Sequence, residues 1–367
     1  MIERSKRVPV AAVRGGQLRR SRSLAWSWRS AVGLALLAIG PWDLSPARGD
    51  QAAGRASNSC LEGPGKLAAV AGPSGEVQLE LTPDPGEILD LRGIRLSADP
   101  PRNPLVINRA DGVCVVGPTV IGKAPRGVSW NQMKRNHDGD GVHFARATGA
   151  FTLEDAWIEN VEDAVGPPKA PETPRTASFA VRGVYACYIR DDFIENDAAL
   201  GGEISDTLVD GAHVFISARP GKGFDGQFSP ATLRVRSSLV RLDCKPDERA
   251  DGQDSPAAEG LAGGACGVAK SLGMPFKWSA AAKDLHVDIA DTIIRVDAAG
   301  RNGPRSMNFP PGTYRNVTVV WLGSGPYPGT LPETGVSVAT DPMVWDIPRA
   351  AWLQHHGYTD GEPCASR

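Results

Sequence analysis

Acidic side chains gather in three short stretches of this sequence. Asn136-His-Asp138-Gly-Asp140-Gly-Val-His143 sets two carboxyl groups among histidines, Glu162-Asp163 follows, and Asp191-Asp192 is an adjacent pair. Asp210-Gly-Ala-His213 repeats the spacing of Asp140-Gly-Val-His143. Carboxyl groups held close together titrate apart: like charge and burial keep one protonated as an acid while its neighbour stays ionised. Cleavage of a glycosidic bond by water needs such a pair, about 5–5.5 Å apart for retention and 6.5–9.5 Å for inversion. Asp138, Asp140, Asp163 and Asp192 are the candidates for that pair, with His213 as a proton shuttle. Asn136, His143, Arg190, Arg219 and Lys222 are the polar groups around them that could hold a substrate.

The elements that must position these residues carry one recurring phrase: apolar, x, Asp/Asn, x, apolar, apolar, x, Asn/Gly. Ile189-Arg-Asp191-Asp-Phe193-Ile194-Glu-Asn196 is echoed by Ile204-Ser-Asp206-Thr-Leu208-Val209-Asp-Gly211. Further copies begin at Val115, Leu153, Val235, Ile289 and Tyr314, at steps of 38, 36, 15, 31, 54 and 25 residues along the whole series. A strand-like alternation that ends on a turn residue, repeated at irregular intervals, describes a solenoid whose turns vary freely in length. The expected fold is all-β, a right-handed parallel β-helix over residues 76–340. A β-sandwich accounts for the strands but not for the repetition of one phrase. Equivalent positions of successive coils stack about 4.8 Å apart, so carboxylates on neighbouring coils come naturally to acid–base distances. The step of 15 is short for a full coil, which suggests two adjacent strands of one turn. Because Asp191 shares the slot of Asp155, Asp206 and Asp291, it reads as turn scaffold. Trp157 fills an apolar slot and reads as core, and Trp130 is a candidate sugar platform.

The run from Asn136 to Phe144, followed by Ile158-Glu-Asn160-Val-Glu-Asp163-Ala-Val165, resembles the pectin-lyase-like β-helix superfamily of polysaccharide lyases and glycoside hydrolases. Asn136-His-Asp138 is similar to the first element of the polygalacturonase-type hydrolases, Glu162-Asp163 stands where their Asp-Asp pair would be, and Gly211-Ala-His213 is similar to their third. Arg219-Pro-Gly-Lys222 matches the fourth only loosely, and His213 lies fifty residues after Asp163. What the resemblance implies is a secreted enzyme that cleaves a polysaccharide, by hydrolysis more readily than by elimination and without a cofactor. A lyase would instead use Arg182, Arg190 or Arg219 as base and calcium to neutralise a uronate, with Asp138-Gly-Asp140 and Asp163 as its acidic site. The competing reading is a non-catalytic β-helix that binds polysaccharide or forms part of an envelope surface.

Eight basic residues precede position 31, followed by a short apolar run and Ser45-Pro-Ala47, which together read as a signal peptide over 1–47. Arg19-Arg20 with Leu24 is a loose twin-arginine match. Those 47 residues carry eight positive and two negative charges, net +6; the chain carries −2 in total, so residues 48–367 carry −8. That balance excludes nucleic acid and anionic lipid as partners. The apolar run is too short to span a bilayer, so no membrane span is expected in the mature chain. Residues 48–75 read as a leader loop, and 341–367 as a C-terminal cap or tail, a short helix or irregular cap over the last coil. Six cysteines behind a signal fit a secreted or periplasmic, oxidised protein. Cys244 and Cys266 flank a loop and are the best candidates for a bridge, whereas Cys114 and Cys187 sit in apolar runs and read alternatively as small core residues. Asn316-Val-Thr318 matches a glycosylation acceptor but occupies a repeat strand.

Overall fold

Short apolar stretches bounded by turn residues form strands that pair only with the coil above and the coil below, always in parallel. In the computed structural model the described residues are 59–70, 78–99, 102–123, 139–168, 176–220, 231–243, 273–297 and 307–358. The strands fall into three stacks. The first holds β1 (Lys66–Ala69), β3 (Glu87–Asp90), β6 (Val113–Val116), β9 (Ala150–Glu154), β12 (Ser178–Arg182), β14 (Gly201–Ser205), β16 (Ala231–Arg236) and the first halves of β19 (Leu285–Val296) and β20 (Gly312–Trp321). The second runs through β4 (Arg95–Leu96), β7 (Thr119–Ile121), β10 (Trp157–Glu159), the first parts of β13 (Tyr185–Glu195) and β15 (Leu208–Ala218), and β17 (Leu239–Leu242). It ends in the second halves of β19 and β20 and in β21 (Val336–Ala339). The third holds β2 (Leu79–Leu81), β5 (Leu105–Ile107), β8 (Asp140–Phe144), β11 (Asp163–Gly166), the second parts of β13 and β15, and β18 (Met274–Trp278). This is an all-β parallel β-helix.

The phrase marks the corner between the first and second stacks. Gly117, Asp155, Gly183, Asp206, Ser237, Asp291 and Asn316 follow one another in register there, and all have φ between 46° and 73°. A left-handed residue turns the chain sharply, and Gly, Asn and Asp occupy that conformation at least cost. Adjacent members also support one another: Asn316 Nδ2 donates to Asp291 Oδ1 at 2.9 Å.

The register corrects one copy of the phrase. Leu153 pairs with Val181, and Val181 with Ile204, so the true coil steps there are 28 and 23 residues. Ile189 lies in the same coil as Val181, at the second corner. The two echoing phrases are therefore different corners of successive coils rather than adjacent strands of one turn.

Apolar residues fill the interior with aromatic columns. Phe151 and Phe179 stack at 6.1 Å and Phe193 and Phe215 at 5.9 Å, while Phe144 lies tilted against Phe151 at 4.3 Å. A second core lies outside the barrel. The helix α1 (Met343–His355) lays Trp345, Trp352 and Leu353 against Tyr185, Cys187, Leu208, Leu239 and Val320 on the outer face of the second stack. It thus runs along the flank of several coils. Trp157 joins this outer cluster, 5.8 Å from Tyr185 and 5.7 Å from Tyr358, and is not an interior residue. Asp210 anchors the helix, accepting from Arg241 Nε and Arg349 Nε at 2.6 Å each. Burial alone would raise its pKa, but the two guanidiniums outweigh that and hold the carboxyl below its ordinary range.

Cys60 and Cys114 form a disulfide with a sequence separation of 54, and Cys187 is also disulfide-bonded. Neither Cys114 nor Cys187 is a reduced core residue. Cys244 and Cys266 lie outside the described residues, as do the signal segment and Trp130.

Ser237 is the one member of the first-corner column that is neither Gly, Asp nor Asn, and it is exposed. Ser237→Asn is expected to raise stability by about 0.5–1 kcal/mol, because Asn tolerates the left-handed turn better. A shift of the urea midpoint at unchanged m-value measures it.

Candidate functional site

The third stack brings the acids together by register alone. Asp140 pairs with Asp163, and Val142, Val165, Ile194, Ile216 and Phe276 run in line. Two residues before each of the first three stand Asp140, Asp163 and Asp192, a column of carboxylates on successive coils. One residue after the same line comes a second column: His143, Gly166, Glu195, Ser217 and Lys277.

Gly166 lets the two columns meet. A Cβ there would lie 2.0 Å from Asp140 Oδ2 and 3.2 Å from His143 Nδ1. Without it, the Asp140 carboxylate leans over the strand and meets His143 Nδ1 at 2.5 Å. Asp140, Asp163 and Glu195 then each present an oxygen within 4.8 Å of the others. The start of β8 is held from below: Asn103 Oδ1 accepts from the Asp140 backbone N–H at 2.8 Å, beside Gly139, whose φ is +84°. Glu162 is turned to this same loop, its Oε2 accepting from the Gly139 N–H at 3.3 Å.

A bulge at the second corner supplies the rest. Ile189 pairs with Ala212 and Asp192 with Val214, so Arg190 and Asp191 together stand opposite the single residue His213. Such a bulge re-aims side chains next to it. Asp191 is not in the left-handed column, and its carboxylate joins those of Asp163 and Asp192, again with oxygens within 4.8 Å. The reading of Asp191 as turn scaffold is therefore wrong: its phrase lies at a different corner from those of Asp155, Asp206 and Asp291. Lys277 enters between the pair, its Nζ 3.1 and 2.8 Å from the two Asp192 oxygens and 3.6 Å from Asp191 Oδ1. The Asp192 backbone N–H donates to Asp163 Oδ1 at 2.8 Å.

The electrostatics follow from this crowding. Burial, and then the charges of Glu195, Asp192, Asp191 and Asp140, push the pKa of Asp163 well above the usual carboxylate range. Burial and like charge thus favour the protonated form of Asp163. Lys277 shows the converse. Burial would lower its pKa, but Asp192 and Asp191 outweigh burial and bring it up to about 12. The cluster can hold and pass a proton while keeping one cation fixed.

Of the residues anticipated, Asp140, Asp163, Asp192 and His143 meet in this cluster. His213 and Arg190 are buried at the bulge beside it. Arg219 is exposed just past the end of β15, and Arg182 lies on the first stack, away from the acids. Asn136, Asp138 and Lys222 lie outside the described residues. Glu195, Lys277 and Asn103 were missed. Glu195 sits in an unconstrained slot of the phrase, and Lys277 belongs to β18, which carries no copy of it.

The molecule is, by class, a parallel β-helix with an acidic cluster and one lysine on its third face. No protein-family model, curated protein or solved structure matches the chain.

Two variants test the geometry. Gly166→Ala is expected to force the Asp140 carboxylate off His143 at a cost of about 1–3 kcal/mol, measured as a lower urea midpoint in a chain that keeps its strand content. Asp163→Asn keeps an oxygen to accept from Asp192 N–H but needs no proton. A carboxyl whose folded pKa is raised contributes stability below its unfolded pKa, and that contribution is lost as pH rises through the folded value. Relative to wild type, Asp163→Asn is therefore expected to gain stability as pH is raised from 4 to 8, measured by thermal melts across that range.

Proposed function

We propose that the chain is a secreted carbohydrate-active enzyme that cleaves glycosidic bonds of a polysaccharide by hydrolysis, without a cofactor. The observation that supports this most is the meeting of Asp140, Asp163 and Glu195 within 4.8 Å, with burial and like charge holding the proton on Asp163. Asp163 serves as the acid that protonates the leaving oxygen. Asp140, oriented by His143, and the half-buried Glu195 serve as the ionised partners. Their spacing lies nearer the separation of about 5–5.5 Å in retaining enzymes than the wider gap that an inverting enzyme leaves for water. Elimination is less well served, because Lys277, brought up to about 12, stays protonated at neutral pH and cannot act as the base.

The pectin-lyase-like resemblance belongs to the same reading, with a further departure beside the loose fourth element and the distant His213: Glu162 accepts from the Gly139 backbone. Export to the periplasm or medium is supported by the disulfides at Cys60, Cys114 and Cys187. Among the described residues no helix is long and apolar enough to cross a membrane.

A second reading, a non-catalytic β-helix that binds polysaccharide or lines an envelope surface, is favoured by one observation. The side chain of Asp192 is 1% exposed and bound to Lys277, as a purely structural ion pair would be. The two readings part on a panel of neutral and acidic polysaccharides. Hydrolysis releases reducing ends with no unsaturated product. Asp163→Asn and Asp140→Asn should each lower that rate about 10²–10⁴-fold, and wild-type activity should fall as pH rises through the raised pKa of Asp163. No sugar release from any member of the panel would leave the binding reading standing.

A further inference from the structure

We propose that the ammonium of Lys277 is a built-in counter-ion standing where Asp163, Asp191 and Asp192 would otherwise hold a divalent cation, so that the cluster assembles without metal. The inference concerns how the acids are held together and stands whether or not they cleave a glycan. Three carboxylate oxygens within 4.8 Å of one another define a space of calcium's size, since Ca–O distances of about 2.3–2.6 Å place opposite ligands about that far apart. Calcium is also what a lyase of the superfamily named above would use, so the fit has to be tested on the residues present.

They do not fit a metal. Lys277 Nζ already lies 2.8 Å from Asp192 Oδ2 and 3.6 Å from Asp191 Oδ1, paired with two of the three acids. Two like-charged cations cannot share them. The neighbouring trio of Asp140, Asp163 and Glu195 does no better. There the Asp140 carboxylate is already taken by His143. Lys277 is not an incidental surface lysine. It is the fifth member of the column His143–Gly166–Glu195–Ser217–Lys277, two coils past Glu195, and its side chain is only 16% exposed.

Removing Lys277 should therefore unmask the site it fills. Isothermal titration with calcium alone, on the full chain, is expected to show no binding to wild type and one site in Lys277→Ala. The Tm of wild type should be the same in millimolar calcium and in EDTA. Lys277→Ala should melt lower in EDTA, on the order of 5–10 °C for an uncompensated buried carboxylate, and recover most of that in calcium. Lys277→Arg, which keeps the charge, should not respond. Should Lys277→Ala fail to fold in EDTA, folding restored by calcium is the same positive result, and Lys277→Gln provides a bulkier neutral variant for the titration. Calcium binding by wild type, or no calcium response in either neutral variant, would overturn the proposal.

Discussion

The constraint on which the rest depends is the spacing of parallel coils. Hydrogen bonding fixes neighbouring strands about 4.8 Å apart, so a residue type repeated at one register position is stacked against itself whether or not that is favourable. Apolar columns gain from this, as the Phe193–Phe215 stack shows. Left-handed Asp and Asn residues gain too, because each can bond the one before it. Carboxylates do not. Asp140, Asp163 and Asp192 fall in one column on three successive coils, and a stack of three ionised acids in a largely buried place is unstable as it stands.

The structure meets that repulsion in two different ways on either side of Asp163. Towards Asp192 and Asp191 it introduces a positive charge, Lys277. Towards Asp140 and Glu195, His143 is bound to Asp140, and burial with the neighbouring charges favours a proton on Asp163. One half of the cluster is a fixed ion pair and the other half is a proton store. Only the second has the properties of acid–base machinery, because a group must change its protonation state to do that work.

How much of this was legible in the sequence divides along the same line. The repeated phrase reports the first corner, where a left-handed residue is required at every coil, and so the fold and four of its six steps were readable. The second corner has no such uniform requirement. Asn160, Tyr188 and Gly211 turn the chain with unlike residues, so the copy at Ile189 looked like a first-corner phrase and Asp191 like scaffold. Asp163 and Asp192 were visible because each lies in or beside a copy of the phrase, and Asp140 because it stands in the acidic run from Asn136 to His143. Lys277 was not, since β18 lies inside the longest coil step among the described residues, the 54 residues from Ala231 to its partner Leu285. Long-range register, rather than local pattern, brings it to Asp192, 85 residues away.

That distance bears on what kind of object the cluster is. A solenoid coil contacts mainly its neighbours, and its stability is close to a sum of local terms. Lys277 departs from this rule. Its strand sits beside β15, yet its side chain reaches past Val214 and Ser217 to Asp192 on the coil beyond. The acids of β13 therefore depend on a strand two coils further on, and the coil between them cannot loosen singly. A face built to bind something rigidly needs that coupling, since coils that frayed one at a time would not keep three carboxylates within 4.8 Å. The ion pair is thus more than local compensation for buried charge: it ties coils that would otherwise answer only to their neighbours into one unit under the site.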